Sequence, residues 1–170
     1  MSGIFRNLLV TFFALFHWRS ASLHARTEVR FFVTFFDTGL SRLKSDKYLQ
    51  LAEAAQIDFL IKTALMGSLL RKSYGFVNLS QLLRFVRPVG TWQCVNVTTQ
   101  IIFADEKCAY FQHLFMMGHD VCAEVLVKMK FKNGNLTVTP ATLTGAFAGD
   151  KPVFLQRWDE ALAAASVASQ

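Results

Sequence analysis

The 170-residue chain is poor in cysteine, proline, histidine and charge: three Cys, three Pro, four His and 18% charged residues. Cys94, Cys108 and Cys122 are odd in number and fourteen residues apart, with no C-x-x-C pair. Metal sites need close ligand pairs and secreted disulfide frameworks need an even count. The spacing therefore argues against both, and for free, mostly buried thiols in a reducing compartment. The sequons at Asn78, Asn96 and Asn135 carry no weight in that setting. Three prolines mark no linker, and no internal repeat, low-complexity tract, Gly-rich phosphate loop or Ser/His/Asp arrangement can be picked out. The length fits one domain, with or without a short extension.

Hydrophobic residues, in contrast, make up 52% of the chain and include seventeen Phe, which excludes general disorder. So large a Phe content exceeds an ordinary core and points to apolar surface meeting a partner chain or a lipid-like ligand. The balance of eighteen Lys and Arg against twelve Asp and Glu, a formal +6, suits anionic ligands or surfaces. Lys128, Lys130 and Lys132 alternate with Val127, Met129 and Phe131, the pattern of a strand with one wet and one buried face. Nucleic-acid binding would interleave basic residues with exposed aromatics on one surface, so no nucleic-acid partner is expected.

Residues 4–18 are nearly all apolar, broken by Arg6, Asn7, Thr11 and His17. Roughly fifteen residues are too few to span a bilayer, which takes about twenty. The segment reads as a signal peptide with a poor cleavage site, or as a helix that docks on the domain or rests on a membrane surface. Residues 19–26 then form a hinge. Thr27 to Phe36 reads as a strand, and Asp37 to Leu43 as a loop. Ser45 to Met66 reads as a long helix stopped by Gly67, with polar residues at 46, 47, 50, 53, 58 and 62 and an otherwise apolar circumference, hence buried. Strands are expected over 76–89, 92–103, 108–116, 121–132 and 136–139, with Asn133-Gly134 closing the last hairpin. Residues 159–168 form a terminal helix. His113, mid-strand, is expected to be a structural histidine.

The order of strand, long buried helix and antiparallel strands resembles the hotdog fold of acyl-CoA thioesterases. Particular residues carry the resemblance further. Tyr48-Leu49 and Glu53 match the family's Tyr-Leu helix opening with an acid five residues on. Arg84-Phe85-Val86-Arg87-Pro88-Val89 is similar to its R-F-x-R-P-L segment. Asp105-Glu106-Lys107 with Tyr110 is similar to the W-D-E-K-W-F-Y turn of the branch called thioesterase superfamily member 6-like, near the 4-hydroxybenzoyl-CoA thioesterases. The resemblance covers residues 1 to about 140. It departs in the loop before the helix: Arg42, Leu43, Lys44 and Ser45 stand where the branch has H-M-N-N, and Asp37 is the one carboxylate left in the loop.

The resemblance implies an α+β hotdog domain over 27–140, with five or six antiparallel strands around one central helix. An N-terminal apolar helix and hinge (1–26) and a C-terminal extension (141–170) flank it. It also implies hydrolysis of an acyl-CoA or acyl-carrier-protein thioester by a cytoplasmic homodimer or higher homo-oligomer, with residues 4–18 as a candidate peripheral membrane contact. No metal or separate cofactor is expected, since coenzyme A belongs to the substrate. Thioester hydrolysis needs donors for the carbonyl oxygen and a carboxylate to activate or supply the attacking oxygen. Backbone amides at the helix start, Leu43, Lys44 and Ser45, are the expected donors, and Asp37 and Glu53 the expected carboxylates. Tyr48, Arg84 and Arg87 are the expected substrate-binding side chains. The second reading is a related protein that binds acyl thioesters, or acts through protein contacts, without turnover.

Overall fold

The computed structural model describes residues 22–145, 147 and 149–167. In chain order these form β1 (Thr27–Phe32), a 3-10 turn (Phe35–Asp37), α1 (Ser45–Lys62), α2 (Leu65–Arg71), β2 (Gly75–Phe85), β3 (Cys94–Ala104), β4 (Ala109–Met117), β5 (Asp120–Asn133), β6 (Leu136–Val138), α3 (Ala141–Thr144) and α4 (Val153–Val167). The expected helix over 4–18 lies outside the described residues. Among the described residues no helix is long and apolar enough to cross a membrane.

Strict alternation builds the sheet. Val95, Val97, Thr99 and Ile101 of β3, Ala109, Phe111, His113 and Phe115 of β4, and Val125, Val127, Met129 and Phe131 of β5 are all buried. They share the face toward α1 because side chains two apart point the same way. The strands pair antiparallel in the order β1-β3-β4-β5-β2, with β6 added to β5. Register shifts at Asn78/Ser80, Ile101/Phe103 and Phe115/Met116 bend the strands, so the sheet curls. Inside the curl, Leu51, Ala52, Ala54, Ala55, Phe59 and Leu60 of α1 are buried. The three alanines let the sheet approach closely, and Phe59 meets Phe111 edge-on at 5.6 Å between centroids. This is the expected α+β hotdog architecture.

Several boundaries differ from the sequence expectation. β1 ends at Phe32 rather than Phe36, because Val33 turns to exchange hydrogen bonds with Trp92 and Gln93 and Thr34 opens the 3-10 turn. The long helix stops at Lys62, four residues early: the Thr63 hydroxyl donates to the Phe59 carbonyl and Ala64 takes a left-handed φ of 58°. That corner aims Leu65 and Leu69 of α2 into the same core, and Gly67, the expected stop, lies inside α2. Asp58 is buried rather than on a wet stripe, with Lys62 Nζ 2.7 Å away, and burial holds its carboxyl above the usual range. The terminal helix begins at Val153, because Leu155 packs with Cys108 and Tyr110 on the outer face of the sheet.

Charge also locks α4 down. Lys151 Nζ donates to Asp105 Oδ2 at 2.7 Å, to Asp159 Oδ2 at 2.6 Å and to the Tyr110 hydroxyl, using all three protons. Lys128 donates to the other Asp159 oxygen at 2.7 Å. Two ammonium groups and two carboxylates balance. The hydrogen bonds and cations keep both carboxyls below their ordinary range despite burial, and the carboxylates keep the Lys151 ammonium above its own. The network lies largely out of water, so breaking it strands partly buried charge. Lys151→Met is expected to lower stability by about 1–3 kcal/mol, read as a drop in thermal midpoint.

Candidate functional site

The start of α1 is built by three segments that cross there. Asp37 closes the 3-10 turn: its Oδ2 accepts from the Thr34 amide at 3.1 Å and the Thr34 hydroxyl at 2.7 Å. The chain then folds into a small hairpin, with Thr38 bridged to Leu43 and the Gly39 amide donating to the Arg42 carbonyl at 3.0 Å. The connection leaving β2 supports it: Arg42 bridges Gly90, and the Leu43 amide donates to the Val89 carbonyl at 2.8 Å. Lys44, extended at ψ 152°, caps α1, and its amide donates to the Asp37 carbonyl at 3.2 Å.

The three expected oxyanion amides therefore divide. Those of Leu43 and Lys44 are engaged by Val89 and Asp37. The amides of Ser45 and Asp46, the first two of the helix, donate to no other described residue, and both residues are exposed. Donors aimed outward at a helix N-terminus, with the dipole behind them, favour an oxygen bearing negative charge.

Beside them lies a cavity of about 260 Å³ lined by Arg42, Leu43, Tyr48, Phe85, Val86, Arg87 and Pro88. Tyr48 forms its floor. Only 1% exposed, its ring meets Phe85 and Phe115 edge-on at 5.3 and 5.1 Å. Burial pushes its phenol up, partly offset by the Val89 amide, which donates to it. Arg42 stands exposed at the mouth and Arg87 is paired with Asp120.

The other expected residues are placed as follows. Asp37 is 9% exposed, with its carboxylate turned back onto Thr34 and its carbonyl on the first amide before the helix. Glu53 is exposed on α1, eight residues past Ser45 and so about 12 Å along the axis. Arg84 lies on the outer face of the sheet, paired with Glu124 at 2.8 Å, in a second depression with Leu82, Gln112, Leu126 and Phe154. Within one chain, then, Ser45, Tyr48, Arg87 and Asp37 gather at the helix start, whereas Arg84 and Glu53 do not. Sequence reasoning missed Arg42 and Phe85 as walls of the cavity. The arginine-phenylalanine-x-arginine-proline spacing was the available signal, since alternation puts Phe85 on the face opposite Arg84. Among the described residues no cluster of His, Cys, Asp or Glu could hold a metal.

A curled antiparallel sheet around one buried helix, with a cavity at that helix's open N-terminus, defines a hotdog protein. The chain belongs to the Thioesterase-like superfamily, whose family model matches residues 42–141. Solved structures share the fold. A probable thioesterase from Bartonella henselae aligns with TM-score 0.61 and 17% identity, covering 68% of this chain and 98% of its own. A 1,4-dihydroxy-2-naphthoyl-CoA thioesterase from Synechocystis aligns with TM-score 0.57 and 11% identity, covering 68% and 88%. A Staphylococcus aureus hypothetical protein in complex with CoA aligns with TM-score 0.61 and 12% identity, covering 81% and 96%. No curated protein matches the chain.

Proposed function

We propose that the protein hydrolyses an acyl-CoA or acyl-carrier-protein thioester, with the carbonyl oxygen received by the amides of Ser45 and Asp46. The observation that carries this reading is a pair of amides, engaged by no other described residue, at the helix start whose Leu43 and Tyr48 line the cavity. The acyl group enters the cavity, and Arg42 and Arg87 at its mouth face the phosphates of the carrier arm. Asp37, fixed at the same helix start, takes a proton from water as the water oxygen bonds to the carbonyl carbon. The tetrahedral oxyanion then collapses, the carbon–sulfur bond breaks, and the thiolate leaves to be protonated. Glu53, exposed on α1, is the second candidate carboxylate.

The same reading makes the protein a dimer. β2 is an eleven-residue edge strand that leaves Phe76, Val77, Leu79, Leu82 and Phe85 exposed, and an edge of that kind pairs with a second copy. A face of α1 exposed in one chain, such as the one bearing Glu53, is then able to meet its partner.

A specific observation favours the alternative, a protein that binds acyl thioesters without turnover: the Asp37 carboxylate caps its own turn. Thiol release from a panel of acyl-CoA substrates separates the two. Asp37→Ala is expected to lower turnover by roughly 10²–10⁴-fold, the range for a lost general base. Glu53→Gln, assayed in parallel, reports whether the second carboxylate contributes. Acyl-CoA binding with no release at any chain length supports the non-hydrolytic reading.

A further inference from the structure

Three segments bring large apolar side chains to one outer corner of the molecule, beside the start of α1. Phe32 comes from the end of β1, Phe35 and Phe36 from the 3-10 turn, Leu40 from the tip of the 38–43 hairpin, and Trp92 from the connection into β3. All are exposed: Phe36 70%, Trp92 65%, Phe35 63%, and Leu40 fully. Phe32 and Trp92 lie 6.0 Å apart between ring centroids, Phe35 and Phe36 6.4 Å.

The segments are fastened together beneath this crest. The Trp92 amide donates to the Val33 carbonyl at 2.8 Å, the Thr91 hydroxyl donates to that of Thr38 at 3.1 Å, and the Thr91 amide donates to the Ser41 carbonyl at 3.3 Å. The apolar tips are therefore held outward by a fixed scaffold. Together they leave on the order of several hundred Å² of carbon in water, more than scattered surface apolars explain.

We infer that this crest is a lipid-docking surface, inserted into the headgroup layer of an anionic membrane. The charges around it fit. Arg30 shares the outer face of β1 with Phe32, Arg42 follows Leu40 on the hairpin and Lys44 lies just after it, all three exposed. The Lys44 stem runs past Gly39, 3.7 Å from where a Cβ there would sit. Among the described residues of these segments the exposed acids are Asp46, which accepts from the Gln50 side chain, and Glu28, at the far end of β1. Protruding aromatic and aliphatic tips ringed by cations are what an anionic lipid interface takes up, with Trp at headgroup depth. A second copy is better served elsewhere, by the open backbone edge of β2 at the other end of the strand order. The crest has a protruding turn at its summit instead.

The inference stands on the crest alone and holds whether or not the cavity hydrolyses thioesters. The test is co-sedimentation of the full chain with phosphatidylcholine vesicles, with and without phosphatidylserine. Wild type is expected to bind the anionic vesicles. The neutral double change Phe36→Ser/Leu40→Ser, at exposed positions with an unchanged melting curve, is expected to weaken binding by roughly tenfold or more. In a full-length Trp18→Phe/Trp158→Phe background, Trp92 is expected to shift its emission to the blue on anionic vesicles. The inference is overturned if wild type ignores vesicles, if the double change leaves binding intact, or if Trp92 emission stays put. It is equally overturned if the double change converts a larger oligomer to a smaller one, which would make the crest a contact between copies.

Discussion

Ser45→Pro is expected to cost roughly 10²–10³-fold in thioester turnover while leaving the fold and its melting temperature nearly untouched. Proline at the first position of a helix removes one backbone N–H and little else, because that N–H has no intrahelical partner and the fixed φ suits the helix. The local geometry admits it. The Ser45 amide donates to no other described residue, and Lys44 before it already has the extended ψ of 152° that a residue preceding proline requires. Loss of one donor from an oxyanion site has the stated size. A steady-state comparison with wild type reads it, with circular dichroism melting as the control. Turnover equal to wild type places the oxyanion elsewhere, and an early melt shows that the amide served the fold.

Acid sensitivity is the second large effect, and it comes from the core. His113 is fully buried on β4, its Nδ1 2.9 Å from the Thr99 hydroxyl and its Nε2 without a hydrogen-bond partner among the described residues. Burial pushes its pKa down to about 3, because the charged imidazolium would lose its water there. In the unfolded chain the same imidazole takes a proton near 6.5. The unfolded state therefore binds more protons through that window. Stability is whole above pH 6.5 and declines as pH falls toward 3, by about 2–3 kcal/mol at pH 4.5 and about 5 kcal/mol in all.

Asp58, whose carboxyl is held high by burial, works in the opposite sense, so the residue-specific part must be isolated. The paired change Thr99→Val/His113→Leu removes both hydrogen-bonding partners together and avoids leaving one stranded. Denaturant melts at pH 7.5 and 4.5 should show the variant losing some 2–3 kcal/mol less than wild type between the two. Equal losses would mean that His113 is reached by water or a counter-charge.

Much of the architecture could be read from residue order because alternation and helical composition are local signals. The lysines at 128, 130 and 132 against Val127, Met129 and Phe131 place one β5 face inward, and the asparagine-glycine pair at 133–134 marks the hairpin where Gly134 has φ 57°. What was not legible depends on contacts distant in sequence. The early end of α1 follows from an alanine in a left-handed conformation, chosen so that Leu65 and Leu69 reach the core; propensity favours the glycine three residues on. The extent of α4 follows from Lys151, Asp105, Asp159 and Tyr110 meeting across three elements.

The candidate site divides along the same line. Its expected place at the helix start coincides with a cavity that Leu43 and Tyr48 line. Which amides remain open was not legible, since Leu43 and Lys44 are engaged by partners at Val89 and Asp37 that only the crossing of the hairpin with the β2–β3 connection supplies. Arg84 reads as a ligand for an anionic substrate from its residue type, and its pairing with Glu124 on the outer face of the sheet, away from the helix start, depends on a contact forty residues distant.

The proposed reaction turns on where a thioester carbonyl rests. The most direct measurement is a crystal structure with a non-hydrolysable ketone analogue of an acyl-CoA. The ketone oxygen is expected about 2.7–3.1 Å from the amide nitrogen of Ser45 or Asp46, with the acyl group against Tyr48 and Phe85. An analogue bound with its carbonyl away from the start of α1, for instance in the outer depression beside Arg84 and Phe154, would contradict the proposed reaction.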